Sequence, residues 1–233
     1  MNSVVEDTLP YERDLFLWLN GHHSDFWDVF MMTYSGQTHP KGILWYPLCI
    51  IFLISLFYKT SWQRAVLFIV CFALLITLCD QISAGIIKPL FARFRPTHHP
   101  DFENIVQIVD GYRGGRYGFV SSHAANGFGA AMFMSLIYRN RWLTASVFLW
   151  AAVFSYSRIY LGVHFVTDIL GGMFVGLACG YLIYLLFQYG RKKILKDPLI
   201  ALQKPVYAPK HGNIIAGTIA ATIMVNILYS AFF

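Results

Sequence analysis

The sequence predicts an all-α protein: a polytopic membrane helical bundle with about six transmembrane helices and an N-terminal interfacial helix. Three observations carry that expectation. Charged residues make up 13% of the 233 positions and hydrophobic ones 57%, whereas soluble domains carry roughly 25% charged residues. Six segments are apolar over close to the ~20 residues that a helix needs to span a hydrocarbon core about 30 Å thick. Finally, Lys and Arg gather in the connections at one end of those segments, the asymmetry that orients a chain in a bilayer.

Taken in order, the opening "MNSVVEDTLPYERDLF" has acids where a secretory signal needs a basic start and an apolar run. Residues 10–35 are apolar in patches but carry Asp14, Asp25 and Asp28. They are expected to lie in the interface, with Trp18 and Trp27 at headgroup depth. The expected spans are 43–58, 65–87, 118–138, 142–161, 166–189 and 213–233. The first is short, and either extends backwards through Trp45 or tilts little. Between the last two runs a basic, Pro-containing loop, 190–211. No repeat or second domain interrupts the chain, which reads as a single domain, 1–233.

The loops at 59–64, 139–141 and 190–211 share one side and hold ten of the 18 Lys and Arg. Setting aside Lys88, Arg95 and Arg158 leaves five on the other side. The basic loops are therefore expected in the cytoplasm, and the opposite face, with both termini, outside. A formal charge of +6 then reflects topology and an anionic ligand rather than nucleic acid. Cys49, Cys71, Cys79 and Cys179 sit in apolar stretches without ligand spacing, and His22-His23 and His98-His99 lack further ligands, so no metal site is expected.

Three stretches carry chemistry, and all fall on the outer side. "IIKPLFARFRP" puts Lys88 and Arg95 seven apart, on one face of a helix that Pro96 would stop. Taken singly, it reads as a snorkelling basic cap. "YGFVSSHAANGFG" sets Ser121, Ser122 and His123 at a helix N-terminus, where free N–H groups favour an oxyanion. "SRIYLGVHFVTD" holds Ser157, Arg158, His164 and Asp168. A carboxylate four residues after a histidine can hold one imidazole nitrogen and leave the other bare as nucleophile or base. Together the three converge on one mouth as an anion pocket with nucleophilic chemistry, and the anion is most simply a phosphate.

These motifs resemble the signature of the type 2 phosphatidic acid phosphatase family of integral lipid phosphatases, related to the soluble vanadium haloperoxidases. Lys-(six residues)-Arg-Pro matches as Lys88, Arg95 and Pro96. Pro-Ser-Gly-His appears as Val120, Ser121, Ser122 and His123, and the third motif matches in full as Ser157, Arg158, His164 and Asp168. The resemblance covers roughly residues 40–190. It implies that His164 attacks phosphorus to form a phosphohistidine, that Asp168 orients it, and that His123 protonates the leaving lipid oxygen. Lys88, Arg95, Ser121, Ser122 and Arg158 would hold the phosphoryl oxygens, with no metal or cofactor. Val120 and Ser122 stand where the family has Pro and Gly, which bears on the close approach of that backbone donor. The family's usual first span is not matched, and 213–233 is additional to it.

The implied partners are the membrane and a phosphorylated membrane lipid, with undecaprenyl diphosphate or lipid A foremost, and the implied place is the inner (plasma) membrane with the site facing the periplasm or exterior. Phosphatidylglycerol phosphate and phosphatidic acid are the alternative substrates. A transporter or binder of lipid anions is the rival of a different class; it would need neither a paired His164 and Asp168 nor a second histidine opposite. An intramembrane acid, Asp80, is either functional or paired with a polar group such as Asn126. Arg113 and Arg116 could meet a second phosphate or a sugar headgroup, or face anionic lipid.

Overall fold

The computed structural model describes residues 6–37 and 45–232. Among these, regular structure is helical apart from one isolated bridge between Phe94 and Tyr117. The helices are α1 (Leu9–Asn20), α2 (Asp25–Tyr34), α3 (Tyr46–Phe57), α4 (Trp62–Asp80), α5 (Lys88–Phe91), α6 (Ser122–Tyr138), α7 (Arg141–Tyr160), α8 (Val166–Lys193), α9 (Leu199–Gln203) and α10 (Pro209–Phe232). Each of the six expected apolar segments overlaps one of α3, α4, α6, α7, α8 and α10. Residues 43 and 44 of the first, Phe233 of the last and Lys41 of the charge count lie outside the described residues. Trp62–Phe91, Val166–Lys193 and Pro209–Phe232 are long and apolar enough to cross a bilayer by length and composition. With 12 residues, α3 is shorter than a full crossing needs.

Local chemistry sets where these helices begin, widen and end. Pro89 has no N–H to give the Gly85 carbonyl, and the helix between α4 and α5 widens into a π segment, Gln81–Ile87, in which Lys88 N–H reaches back to the Ser83 carbonyl. The result is one 30-residue helix, Trp62–Phe91. It stops at Ala92, which adopts a left-handed conformation (φ 48°). Asn140 caps α7 by accepting from the Trp142 and Leu143 amides, and Ser121 caps α6 by accepting from Ala124.

The bundle centres on α6, packed most extensively against α8 and α7. A seam of small residues lets α6 and α8 touch backbone to backbone. A Cβ on Gly172 would stand 2.3 Å from the Ser121 carbonyl oxygen, and one on Gly176 2.3 Å from that of Ala125. This close approach suits helices in lipid, where packing rather than water expulsion drives association. Phe68 of α4 joins the layers through Phe133 of α6 and Phe187 of α8. Large apolar side chains such as Phe174, Leu182, Leu149 and Leu228 point outward.

The two ends of the bundle differ. At one, Arg64 and Arg191 both bind Asp197, and Arg139 donates to the Gln203 carbonyl. At the other, the loop after α5 pairs with the approach to α6: Arg95 N–H donates to the Arg116 carbonyl and Gly118 N–H to that of Arg93. The α1 helix lies against this second end. Its Asn20 accepts from Gln107 N–H and donates to the Gln107, Ile159 and Tyr160 carbonyls, stitching α1 to the loop and to the end of α7.

Candidate active site

Every residue of the three motifs reaches this second end, by routes that differ in part from those expected. Lys88 leaves the π segment and donates from Nζ to Ser122 Oγ at 3.0 Å; Ser83 Oγ lies 2.8 Å from the same hydroxyl. Arg95 does not share a helix face with Lys88. The helix ends at Ala92 rather than Pro96, and Arg95 sits in the extended segment beside Tyr117. From there its Nε donates to the Tyr117 carbonyl, and Nη1 lies 3.2 Å from both the Val163 carbonyl and His164 Nε2. Arg158, in the last turn of α7, is buried and donates to the Tyr112 hydroxyl at 2.6 Å.

His164 lies in the turn between α7 and α8, outside either helix. Gly162 makes that turn with φ +69°, against Val106 and the Gln107 carbonyl, where any side chain would collide. Asp168 belongs to the first turn of α8 and folds back over the helix start. Its Oδ2 accepts from Phe165 N–H at 3.0 Å and faces His164 Nδ1 at 3.2 Å. The spacing of four works through this capping geometry, not along one helix. Gly118 passes so close that a Cβ there would stand 2.7 Å from Asp168 Oδ2. Ser121 binds the same region by donating its N–H to the Asp168 carbonyl at 2.9 Å. His123 lies in the first turn of α6, its ring 5.2 Å from that of Phe154 on α7.

The electrostatics follow from this packing. Burial, then the cations Arg95, Lys88 and Arg158 and the neighbouring His123, hold His164 well below the ordinary imidazole range. With Nε2 beside an obligate donor, Arg95, the neutral ring carries its proton on Nδ1 and donates it to Asp168. Burial and then Arg158 push Arg95 down to about 10, so it stays cationic at neutral pH. Arg158 Nε and Nη1 are buried with no partner among the described residues. Three cations that crowd one another beside unpaired guanidinium N–H groups form a seat for an anion. Among the described residues no group of three or more His, Cys, Asp or Glu is placed to hold a metal ion.

Two residues here are absent from the motif reading, Glu12 and Arg93. Arg93 is fully buried and donates from Nη1 to Asp168 Oδ1 at 3.0 Å, and from Nη2 to Glu12 Oε1 at 2.5 Å. A signal for Glu12 exists in the sequence: Glu12, Phe16 and Asn20 are four apart and are the buried face of α1. Other polar groups resolve simply. Asn126 donates to Asp80 at 2.9 Å, so that acid is paired. Arg113 donates to the Thr97 carbonyl, and Arg116 lies over the Phe94 ring, both at the exposed rim.

Comparison with known proteins identifies the family. The lipid A 4'-phosphatase of Porphyromonas gingivalis is 42% identical over 204 residues, 88% of this chain and 84% of that protein. The protein of the same name from Bacteroides thetaiotaomicron is 38% identical over 182 residues, 78% of this chain and 79% of its own. Among solved structures, Aquifex aeolicus LpxE superposes with a TM-score of 0.58 at 25% identity, covering 74% of this chain and 94% of that one. The transmembrane PAP2-type phosphatidylglycerolphosphate phosphatase of Bacillus subtilis shares the fold, with a TM-score of 0.57 at 21% identity over 81% and 88%. The PAP2 superfamily pattern matches residues 66–192, the stretch that supplies all three cations, both histidines and Asp168, and this membrane protein belongs to that superfamily.

Proposed function

We propose that this protein hydrolyses a phosphate ester of a membrane lipid, lipid A foremost, at the outer face of the inner membrane. One observation carries the reading: His164 Nδ1 is held by Asp168 while Nε2 faces the cation-lined pocket beside Arg95. The Nε2 lone pair attacks phosphorus and forms a P–N bond as the P–O bond to the lipid breaks. His123, protonated at that moment, gives its proton to the departing lipid oxygen. Asp168 supports the positive charge that develops on the His164 ring. Lys88, Arg95, Arg158 and the Ser121–Ser122 start of α6 receive the phosphoryl oxygens. Water then attacks phosphorus as the P–N bond breaks, its proton passing to the now neutral His123; the bond's electron pair returns to His164 Nε2 and inorganic phosphate is released.

Lipid A is favoured because the two curated relatives above, each covering more than three quarters of this chain, carry that activity in their names. The test is phosphate release by purified protein in detergent and EDTA. The panel is lipid A, undecaprenyl diphosphate, phosphatidylglycerol phosphate and phosphatidic acid, with His164→Ala as control. Preferential release from lipid A, with mass spectrometry showing loss of one phosphate, supports the reading. Preference for another lipid overturns the substrate, and release from none overturns the activity in favour of a lipid-anion binder.

A further inference from the structure

We infer that Glu12 and Arg93 are positioning residues for the His164–Asp168 pair, which makes the N-terminal helix α1 part of the catalytic centre; this rests on the role given to His164 above. The geometry is a buried network in which, among the described residues, Arg93 Nε is left without a partner. Arg93 is 0% exposed and Glu12 5%. Glu12 Oε1 accepts from Arg93 Nη2 at 2.5 Å and from Thr167 Oγ1 at 2.7 Å, while Oε2 accepts from Thr167 N–H at 2.9 Å. Arg93 Nη1 lies 3.0 Å from Asp168 Oδ1 and 2.6 Å from Thr167 Oγ1, and its guanidinium rests over the Phe165 ring at 4.5 Å.

The consequence lies in how the two oxygens of Asp168 are divided. A guanidinium left to itself favours the two-pronged grip on a carboxylate. Here Glu12 occupies Nη2, so Arg93 binds Oδ1 alone, and Oδ2 is left to His164 Nδ1–H and Phe165 N–H. Remove Glu12, and Arg93 can take both oxygens and draw Oδ2 off the imidazole. The same arrangement keeps charge in balance. Two carboxylates and one guanidinium carry a net negative charge beside a ring that becomes cationic in the attack. A buried ionic cluster is weak support for stability in itself; its place directly behind the nucleophile points to orientation.

The isosteric Glu12→Gln should lower kcat about tenfold while KM stays within about twofold, because the network touches the nucleophile's support and not the phosphate. In an Asp168→Asn background the same change should add nothing, since its effect passes through that carboxylate. Arg93→Lys, which keeps charge but not the fork, should fall between wild type and Arg93→Gln. Equal fractional losses in both backgrounds, or no loss in either, would overturn the inference. Should Glu12→Gln fail to fold, Arg93→Lys carries the same two-background comparison. A readout without turnover separates this inference from the activity on which it rests. The 15N signals of His164, assigned by their loss in His164→Ala, should report a single Nδ1–H tautomer in wild type and a mixture in Glu12→Gln. A protein that hydrolyses none of the lipids yet shows that change keeps the inference and loses the phosphatase reading. An active protein whose tautomer and kcat ignore Glu12 does the reverse.

Discussion

At His164 two contacts divide one ring between two tasks, Nδ1 toward Asp168 Oδ2 and Nε2 toward Arg95 in the pocket. Replacement by alanine deletes the atom proposed to attack phosphorus and should cut phosphate release on the order of thousands-fold. Retention of a tenth of the wild-type rate, measured by single-turnover phosphate release, would remove it from the role of nucleophile. Asp168→Asn should be less damaging, because the nucleophile remains and loses only its orientation and charge support. The pH profile follows from the same surroundings. Burial and the adjacent cations keep the His164 pKa well below the ordinary imidazole value of 6.5, so acidification from pH 7.5 to 6 leaves the ring neutral and able to attack. The 15N signals of His164 should therefore hold their neutral positions across that interval. A shift centred near 6.5 would show that His164 titrates like a solvated histidine.

At the level of helices, the α6–α8 seam fixes the distance between the Ser121 cap and Asp168. A Cβ on Gly176 would meet the Ala125 carbonyl oxygen at 2.3 Å, and backbone cannot swing aside as a flexible side chain can. Gly176→Val should cost about 1–3 kcal/mol, read as a lower melting temperature in detergent, and should reduce turnover by spreading the two helices. Gly217→Ala in α10, with nothing within 4 Å of the new methyl, is the matched control. Helices are also the level at which the sequence speaks most clearly. Apolar length marks the spans, and Ser121 ahead of an apolar run marks the start of α6. The end of α5 is not legible in the same way. Ala92 takes a left-handed conformation that a sequence normally signals with Gly or Asn, so Arg95 reads as helical when it is extended. Motif spacing brought Lys88, Arg95, Arg158 and His164 to one mouth; the spacing of Glu12 from Phe16 and Asn20 marks its burial but not its partners Arg93 and Thr167, which lie in distant segments.

For the molecule as a whole, the basic connections and the site occupy opposite ends. Since Lys and Arg in short loops remain on the cytoplasmic side, Asn104 is expected outside and Lys193 inside, both at exposed positions. With exposed Cys49 replaced by serine, an impermeant thiol reagent on intact cells should label a cysteine at 104 and spare one at 193. The opposite pattern would move the site to the cytoplasmic leaflet. The contact between Glu12 and Thr167 spans 155 positions of chain, and this has a meaning in time. A growing chain delivers α1 well before α8, and that helix must wait while the intervening segments are inserted. Lys88 and Arg95 are made well before His164, but Arg95 takes its place only against the Val163 carbonyl and the His164 ring. Only when α8 arrives can Glu12 of α1 meet Thr167. A chain that ends before Thr167 lacks both Asp168 and the α8 surface against which α6 packs, so on the proposed mechanism neither the phosphate seat nor the support of His164 can be complete.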